Sequence, residues 1–403
     1  MAAARVLISG AGIAGTTLAY WLAAEGFAPV VVERAPALRP GGYKIDVRGA
    51  ALAVVERMGV LDAIREARTD MQEAFIVDAK GRKAAAMDAD TFGGRVHGDA
   101  EIHRGALARL IHGLTADTVE YRFGDSIASL EQDADGIDVV FESGRSERFD
   151  LVAGADGLHS KTRRAAFEGD HLVDLGYGVA SCTVPNTLGL DRCEMTYVGA
   201  GRTALVYNTA GSDDATALFL WTASGLGDER RDREGQVKVL QDAYAGEGWE
   251  VPKLLEAAAD AEDLYLDPLA QVRMDKWSQG RVVLLGDAAH AASAASGQGT
   301  SLALVGAYVL AGELGRDGGH ERAFGAYEER MRPFAEANQA LGPKNVKSMV
   351  MASEAQVRFG IGFLRLASRL PGKDRLMAPV VKAIHRAATA IDLPDYTVHD
   401  REK

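Results

Sequence analysis

The stretch Arg5-Val-Leu-Ile-Ser9-Gly10-Ala-Gly12-Ile13-Ala14-Gly15 decides the fold. Arg5 to Ser9 reads as a short buried strand and Gly10 to Gly15 as a glycine-rich turn. Thr16 to Glu25 then carries Leu18, Trp21 and Leu22 at helical spacing. Gly26 closes that helix, and Val30 to Glu33 is a second apolar strand. Strand, helix and strand make a β-α-β unit, with a parallel pair and a right-handed crossover. Gly10 permits the tight turn, Gly12 lets the backbone approach a pyrophosphate, and Gly15 lets the helix pack on the strand. Ile13 and Ala14 open the helix, whose N-terminus attracts phosphate charge. Glu33, followed by Arg34, ends the second strand, where a carboxylate takes ribose hydroxyls.

Working outward, 403 residues exceed one ordinary core and predict two intertwined domains. A net charge of -12 argues against non-specific nucleic-acid binding. Between Lys344 and Arg386 the balance reverses, with nine Lys/Arg against Glu354 and Asp374. This is read as helices packing on an acidic body rather than as a membrane or anion surface. The two cysteines, Cys182 and Cys193, form no CxxC and no zinc spacing, which fits a reducing, cytoplasmic setting. No signal peptide precedes the first strand, and no apolar run approaches the ~20 residues of a spanning helix. The expected partner is therefore a small molecule, without nucleic acid or membrane, and the chain is expected to be a monomer or homodimer.

Along the chain, Ala74 to Met87 reads as a hairpin turning at Lys80-Gly81, and Arg104 to Leu114 as an amphipathic helix. Val119 to Phe149 alternates strands and turns. From 172 to 275 the texture becomes that of antiparallel strands: Val179 to Val184, Glu194 to Val198, Thr203 to Asn208 and Ala217 to Ala223. Arg281 to Leu285 returns to the buried-strand pattern, and Ser301 to Leu314 is helical. The reading is an α/β chain with a discontinuous Rossmann-like domain (1–171 and 276–340), an inserted, mostly antiparallel sheet (172–275) and a C-terminal helical segment (341–403).

Two further motifs narrow the ligand. One runs Asp150-Leu-Val-Ala-Gly-Ala-Asp156-Gly157-Leu-His-Ser-Lys-Thr-Arg163. The other is Gly286-Asp287-Ala-Ala-His290, followed by Gly297-Gln-Gly299. With the first fingerprint, in this order and spacing, the chain resembles the class A flavoprotein aromatic hydroxylases of the para-hydroxybenzoate hydroxylase type. Within them it looks closest to tetracycline-inactivating and polyketide-tailoring monooxygenases, over Val6 to about Pro333.

That resemblance implies a glutathione-reductase-type FAD domain and an inserted substrate sheet. It implies a single-component monooxygenase using NAD(P)H and O2 through a flavin C4a-hydroperoxide on an aromatic or polyketide-type substrate. Gly10, Gly12, Ile13, Ala14 and Gly15 would hold the pyrophosphate, and Glu33 with Arg34 the adenosine side. Asp46 and Arg48, in the loop Gly41 to Gly49, would flank the flavin ring. Arg104, Asp156, Gly157 and Arg163 would serve FAD and the nicotinamide donor. Gly286 and Asp287 would take the ribityl chain, and Gly297 and Gly299 the ring. Ser181, Arg202, Tyr207, Phe219 and Trp221 are the candidate substrate-lining residues.

The flavin carries the chemistry in such enzymes, so no protein nucleophile and no metal are expected. One departure stands out: the family usually places a proline four residues beyond the histidine, where this chain has Ala294. That supports one alternative, a redox-neutral or oxidase-type flavoenzyme; a flavin-dependent reductase and a non-catalytic FAD-stabilised ligand-binding protein, with the inserted sheet as a ligand cup, are the other two. The tryptophans 21, 221, 249 and 277 stand apart, which argues against the WxWxIP motif of flavin halogenases.

Overall fold

The computed structural model describes residues 3–39, 41–223, 226, 232–367 and 374–396, excepting the side chains at 367 and 374–377. Of the cations in the basic C-terminal stretch, Arg369 and Lys373 lie outside the described residues.

The opening stretch forms the strand Arg5–Ser9 and the helix Ile13–Ala24, and the strand Ala28–Glu33 follows. Residues 5–9 lie parallel to 28–32 on one side and, from Val6, to Leu151–Gly154 on the other. The sheet runs Ser278–Gln279, Val282–Leu284, Leu151–Gly154, Arg5–Ser9, Ala28–Glu33, Glu120–Phe123, and only the first pair is antiparallel. The helix Gly299–Leu314 is buried from Thr300 to Glu313 and packs on Ile13–Ala24. A helix apolar on every side belongs in a core, and this one is the central post of the domain.

The C-terminal helices Gly319–Gln339, Gly342–Met349, Glu354–Ala367 and Asp374–Ala388 follow. The last described residue, Tyr396, packs on Gly312 and donates its hydroxyl to Glu313 at 2.9 Å. Glu313 is buried, and Arg316, Arg322 and Arg330 all reach it, so its charge is fully paired. No helix among the described residues is long and apolar enough to cross a membrane.

The second sheet has seven strands: Tyr265–Val272, Leu172–Pro185, Asp214–Thr222, Arg202–Tyr207, Cys193–Gly199, Glu73–Val77 and Lys83–Asp88. The 73–88 hairpin forms as its sequence predicts, yet it joins this sheet, with Glu73–Val77 parallel to Cys193–Gly199. The sheet therefore draws in residues from before 172. A hairpin pattern is local, whereas its third strand is chosen by long-range packing, and periodicity says nothing about that.

Each face of this sheet is buried differently. Ala180, Cys182, Ala204, Val206, Phe219 and Trp221 point to one side, under the helices Arg233–Ala243 and Val251–Asp260. In register on the other side stand Val179, Ser181, Thr203, Leu205, Tyr207, Leu218, Leu220, Glu194, Thr196, Tyr265 and Asp267. Val179 and Leu220 there pack with Val346 and Val350, against Ala295 from the loop that follows Asp287.

Candidate functional site

The glycine turn is held from both ends. Gly10 N–H donates to the Val32 carbonyl at 2.7 Å, and Ala11 N–H donates to Glu33 Oε2 at 2.9 Å. Glu33 Oε1 accepts from Ala35 N–H at 2.8 Å, so this carboxylate fastens the turn to the second strand. Arg34 is exposed beside it. Gly10 sits at φ +105, and a Cβ at Gly15 would overlap the Gly10 carbonyl oxygen, so both are required by the protein itself. Gly12 is different. It has φ -74, and a Cβ there would meet nothing nearer than Arg104 Nη2 at 3.9 Å. The helix it caps has no side-chain cap and no acid in its first turn, which leaves amide donors facing outward.

Arg104 opens the helix Arg104–Gly113, its backbone N–H bonded to the Tyr43 carbonyl at 3.2 Å. It lies against Gly42 on one side and near Gly12 on the other, and it forms no ion pair among the described residues. Asp287 begins the short helix Asp287–His290 after the fully buried strand Val282–Leu284. Its side chain is open to solvent, yet burial by the surrounding protein raises its carboxyl above the usual range, with Arg104 pulling the other way. An accessible but desolvated carboxylate lies deep in a cleft. Among the described residues it has no hydrogen-bond partner. Gly299 is beside it, a Cβ there lying 3.8 Å from Oδ1, and Gly286 packs against Ala14 of the first turn.

Tyr43 lies on the same wall; burial raises its phenol, and it feels Arg104, Asp287 and Asp267. Asp267 accepts from Tyr265 at 3.0 Å and bonds His159 Nε2 at 2.8 Å. Tyr43, His159, Tyr265 and Asp267 were not among the sequence candidates. Tyr43 lies inside the Gly41 to Gly49 loop and His159 inside the Asp150 to Arg163 motif, and for Tyr265 and Asp267 the alternation in Tyr265-Leu-Asp267, polar on one side, was the signal available.

The remaining candidates divide. Asp156 accepts from Thr162 N–H at 2.9 Å and from Ser160, so it builds the turn into the helix Lys161–Ala166. Gly157 has φ +79 in that turn. Arg163 is buried and spends its guanidinium on the carbonyls of Ala288 (2.9 Å) and Leu158 (2.7 Å), bracing one motif against the other. Asp46 pairs with Arg48, which also reaches the Gly93 and Gly94 carbonyls at 3.3 Å, so both belong to a buried ionic cluster. Gly297 is exposed at φ +66.

Of the sheet residues, Ser181 and Tyr207 stand on the cleft side, whereas Arg202, Phe219 and Trp221 do not. Phe219 and Trp221 pack edge-on against Tyr244, on the helix-covered face. Arg202 turns the same way, to the Ala243 carbonyl and to Glu247 at 3.3 Å. Strand alternation puts Phe219, Trp221 and Arg202 together on the face opposite Ser181 and Tyr207.

The loop after His290 lacks the family proline but is held by three amide side chains. Gln271 bonds the Ala292 carbonyl at 3.2 Å, Gln339 the Ala291 carbonyl at 3.3 Å, and Asn345 the Ala295 carbonyl at 3.0 Å. His290 is buried against Trp277 and Tyr327, and burial pushes its pKa down to about 4, so it is a neutral packing residue.

An uncapped helix N-terminus, a glycine with no steric reason of its own, and unpaired Arg104 and Asp287 fit a dinucleotide carrying hydroxyls and a flat ring. Gln298, fully buried between Gly297 and Gly299, has neither amide atom bonded. Residues 3–340 match the FAD binding domain family. The chain belongs to this family. It is an FAD-dependent monooxygenase by kinship: a flavin-dependent monooxygenase of Legionella longbeachae is 37% identical over 353 residues, 87% of this chain and 90% of that one. An uncharacterized protein of Mycobacterium tuberculosis, Rv1260, is 43% identical over 346 residues, 85% and 93%. The crystal structure of the tetracycline destructase Tet(51) is 34% identical, covers 98% of this chain and 100% of its own, and superimposes with a TM-score of 0.86.

Proposed function

We propose that this FAD-dependent monooxygenase works as a single component, reducing its flavin with NAD(P)H and inserting one oxygen atom of O2 into an aromatic or polyketide-type small molecule. The balance is one substrate C–H, NAD(P)H, a proton and O2, giving C–OH, NAD(P)+ and water. The observation that carries this reading is the pairing of unpartnered Arg104 and Asp287 across the cleft, with Gly12 and Gly299 beside them. FAD, when bound, supplies the redox chemistry: it takes hydride and activates O2.

The chain supplies the rest. The helix N-terminus at Gly12 takes the pyrophosphate charge and Glu33, with Arg34 beside it, the adenosine ribose. Asp287 accepts from ribityl hydroxyls, and Arg104 balances the negative charge nearby. Gly297 and Gly299 leave a flat surface for the ring. Asp156, Gly157 and Arg163 hold the shape of the turn under it, as the Asp46–Arg48 pair does beside it. Ser181 and Tyr207, on the cleft-side sheet face, border the substrate, and the apolar residues among them exclude water.

The redox-neutral alternative rested on Ala294, and the amide bonds to residues 291, 292 and 295 supply the stiffness a proline would give. The test is to incubate the holoenzyme with NADPH, 18O2 and a panel of phenols and tetracyclines. A product heavier by one 18O, with matched NADPH consumption, is expected. A product isomerised or cyclised without NADPH consumption would overturn the reading.

A further inference from the structure

Three polar side chains of the cleft wall are not accounted for by FAD binding. Tyr265 and Asp267 come from the strand Tyr265–Val272, and His159 from the turn after Gly157. Strand alternation sends both strand residues to the cleft-side face, where Tyr265 stands in register with Ser181 and Asp267 with Val179. The Tyr265 hydroxyl donates to Asp267 Oδ2 at 3.0 Å, and His159 Nε2 lies 2.8 and 2.9 Å from the two carboxylate oxygens. Asp267 is buried, so its carboxylate is pinned between the histidine ring and the phenol.

A buried polar network is expensive unless its members are satisfied, and apolar side chains would build the same strand pair without that cost. This network is satisfied on its inner side only. A carboxylate accepts and does not donate, so the Tyr265 hydrogen is committed to Asp267. The phenol oxygen keeps its lone pairs for a donor from outside. Burial, with Asp267 adding to it, raises the Tyr265 phenol well above its ordinary range, so it stays neutral. The bond to the carboxylate also polarises the phenol, which makes its oxygen a stronger acceptor. Tyr265 is nonetheless 41% exposed, and it feels both Tyr43 and Arg104. Like Asp287, it is an accessible group inside a desolvated cleft, standing where the seven-stranded sheet meets the flavin side.

We propose that Tyr265 is a specificity-determining residue of the substrate site, an acceptor that takes an O–H or N–H donor on the substrate. Asp267 and His159 are its positioning residues. The ligand class is a phenol, enol or primary amide that still carries its hydrogen. An O-alkylated counterpart sets an ether oxygen against a phenol oxygen with no hydrogen left to give. Two acceptors then face each other away from water, and a site built for a donor rejects the analogue that lacks it. The inference rests on the monooxygenase reading for what the bound molecule becomes, and not for the binding itself.

The experiment measures dissociation constants on FAD-loaded protein, without NADPH, for 1-naphthol and 2-hydroxybenzamide and for their methyl ethers. Wild type, Tyr265→Phe and Asp267→Asn are compared. The wild type is expected to bind at least one of the phenols about tenfold or more tighter than its ether. Tyr265→Phe keeps the ring and should bring that ratio below about threefold through weaker phenol binding, with FAD affinity unchanged. Asp267→Asn keeps the shape and should fall between the two. A wild type that prefers neither phenol over its ether overturns the proposal. So does a Tyr265→Phe variant that keeps the wild-type ratio, or one that loses FAD instead. The same probes are then given NADPH and 18O2. Discrimination without oxygenation of any probe leaves the specificity role standing and removes the monooxygenase reading. Oxygenation with a ratio indifferent to Tyr265→Phe does the reverse.

Discussion

The two faces of the seven-stranded sheet are both buried, but with opposite chemistry. On the helix-covered face Phe219, Trp221 and Tyr244 interlock, and the Tyr244 hydroxyl donates to the Thr203 and Leu220 carbonyls at 2.6 and 2.8 Å. On the cleft-side face Glu194, Thr196, Tyr207 and Asp267 are buried among Leu205, Leu218 and Leu220. Polar groups are expensive to bury and cheap to replace by leucine, so a face that keeps them does so for something other than stability. One face makes the sheet stand; the other gives it something to recognise.

The largest effect should come from the first face. Phe219→Ala removes a fully buried ring and is expected to cost about 3–5 kcal/mol of stability. Urea unfolding should record that loss while the product pattern across a substrate panel stays unchanged. A changed product pattern would mean that the two faces are not separate. Arg202→Ala comes next. It deletes charge-assisted bonds to Ala243 and Glu247, worth roughly 1.5–3 kcal/mol, and should leave substrate KM alone.

On the cleft side the balance reverses. Tyr207→Phe removes the hydroxyl's bonds to Lys44 N–H and to Thr216, about 1 kcal/mol each, so the melting temperature should fall only slightly. Substrate KM should shift several-fold, and a change in melting temperature alone would make Tyr207 ordinary core. The smallest effect belongs to Ala294→Pro. Residue 294 is exposed and begins a short 3-10 turn, but Ser293 before it sits at φ +73, ψ 147, outside the range that a residue before proline prefers, so any gain in stability stays below about 1 kcal/mol. Peroxide released per NADPH should fall slightly. A large fall would show that the amide bonds from Gln271, Gln339 and Asn345 do not do the proline's work.

The same contrast explains what could be read from the residues alone. The first β-α-β unit is legible because its glycines have local reasons: Gly15 is forced by the Gly10 carbonyl five residues before it, and Gly10 by its own φ of +105. Asp287 is legible because a buried strand must deliver it to the sheet's edge. Phe219, Trp221 and Arg202 were misassigned because which side of an inserted strand meets the cleft depends on helices joined later in the chain. Lys44 lies inside the loop Gly41 to Gly49, but nothing in that loop says that its ammonium ends 3.0 Å from Glu194, 150 positions away. Arg163 matched a motif, but nothing in the motif says that its guanidinium ends on the Ala288 carbonyl.

The central claim is that the cleft between Gly12, Arg104 and Asp287 holds FAD, and the most direct measurement is the FAD dissociation constant of the wild type and Asp287→Ala. The purified wild type should be yellow and carry the flavin non-covalently. Asp287→Ala should weaken binding by roughly 1.5–3 kcal/mol, on the order of ten- to a hundredfold, with an unchanged far-ultraviolet spectrum. A wild-type chain that stays colourless and takes up no added FAD, or an Asp287→Ala variant that binds it as tightly as the wild type, would contradict the account.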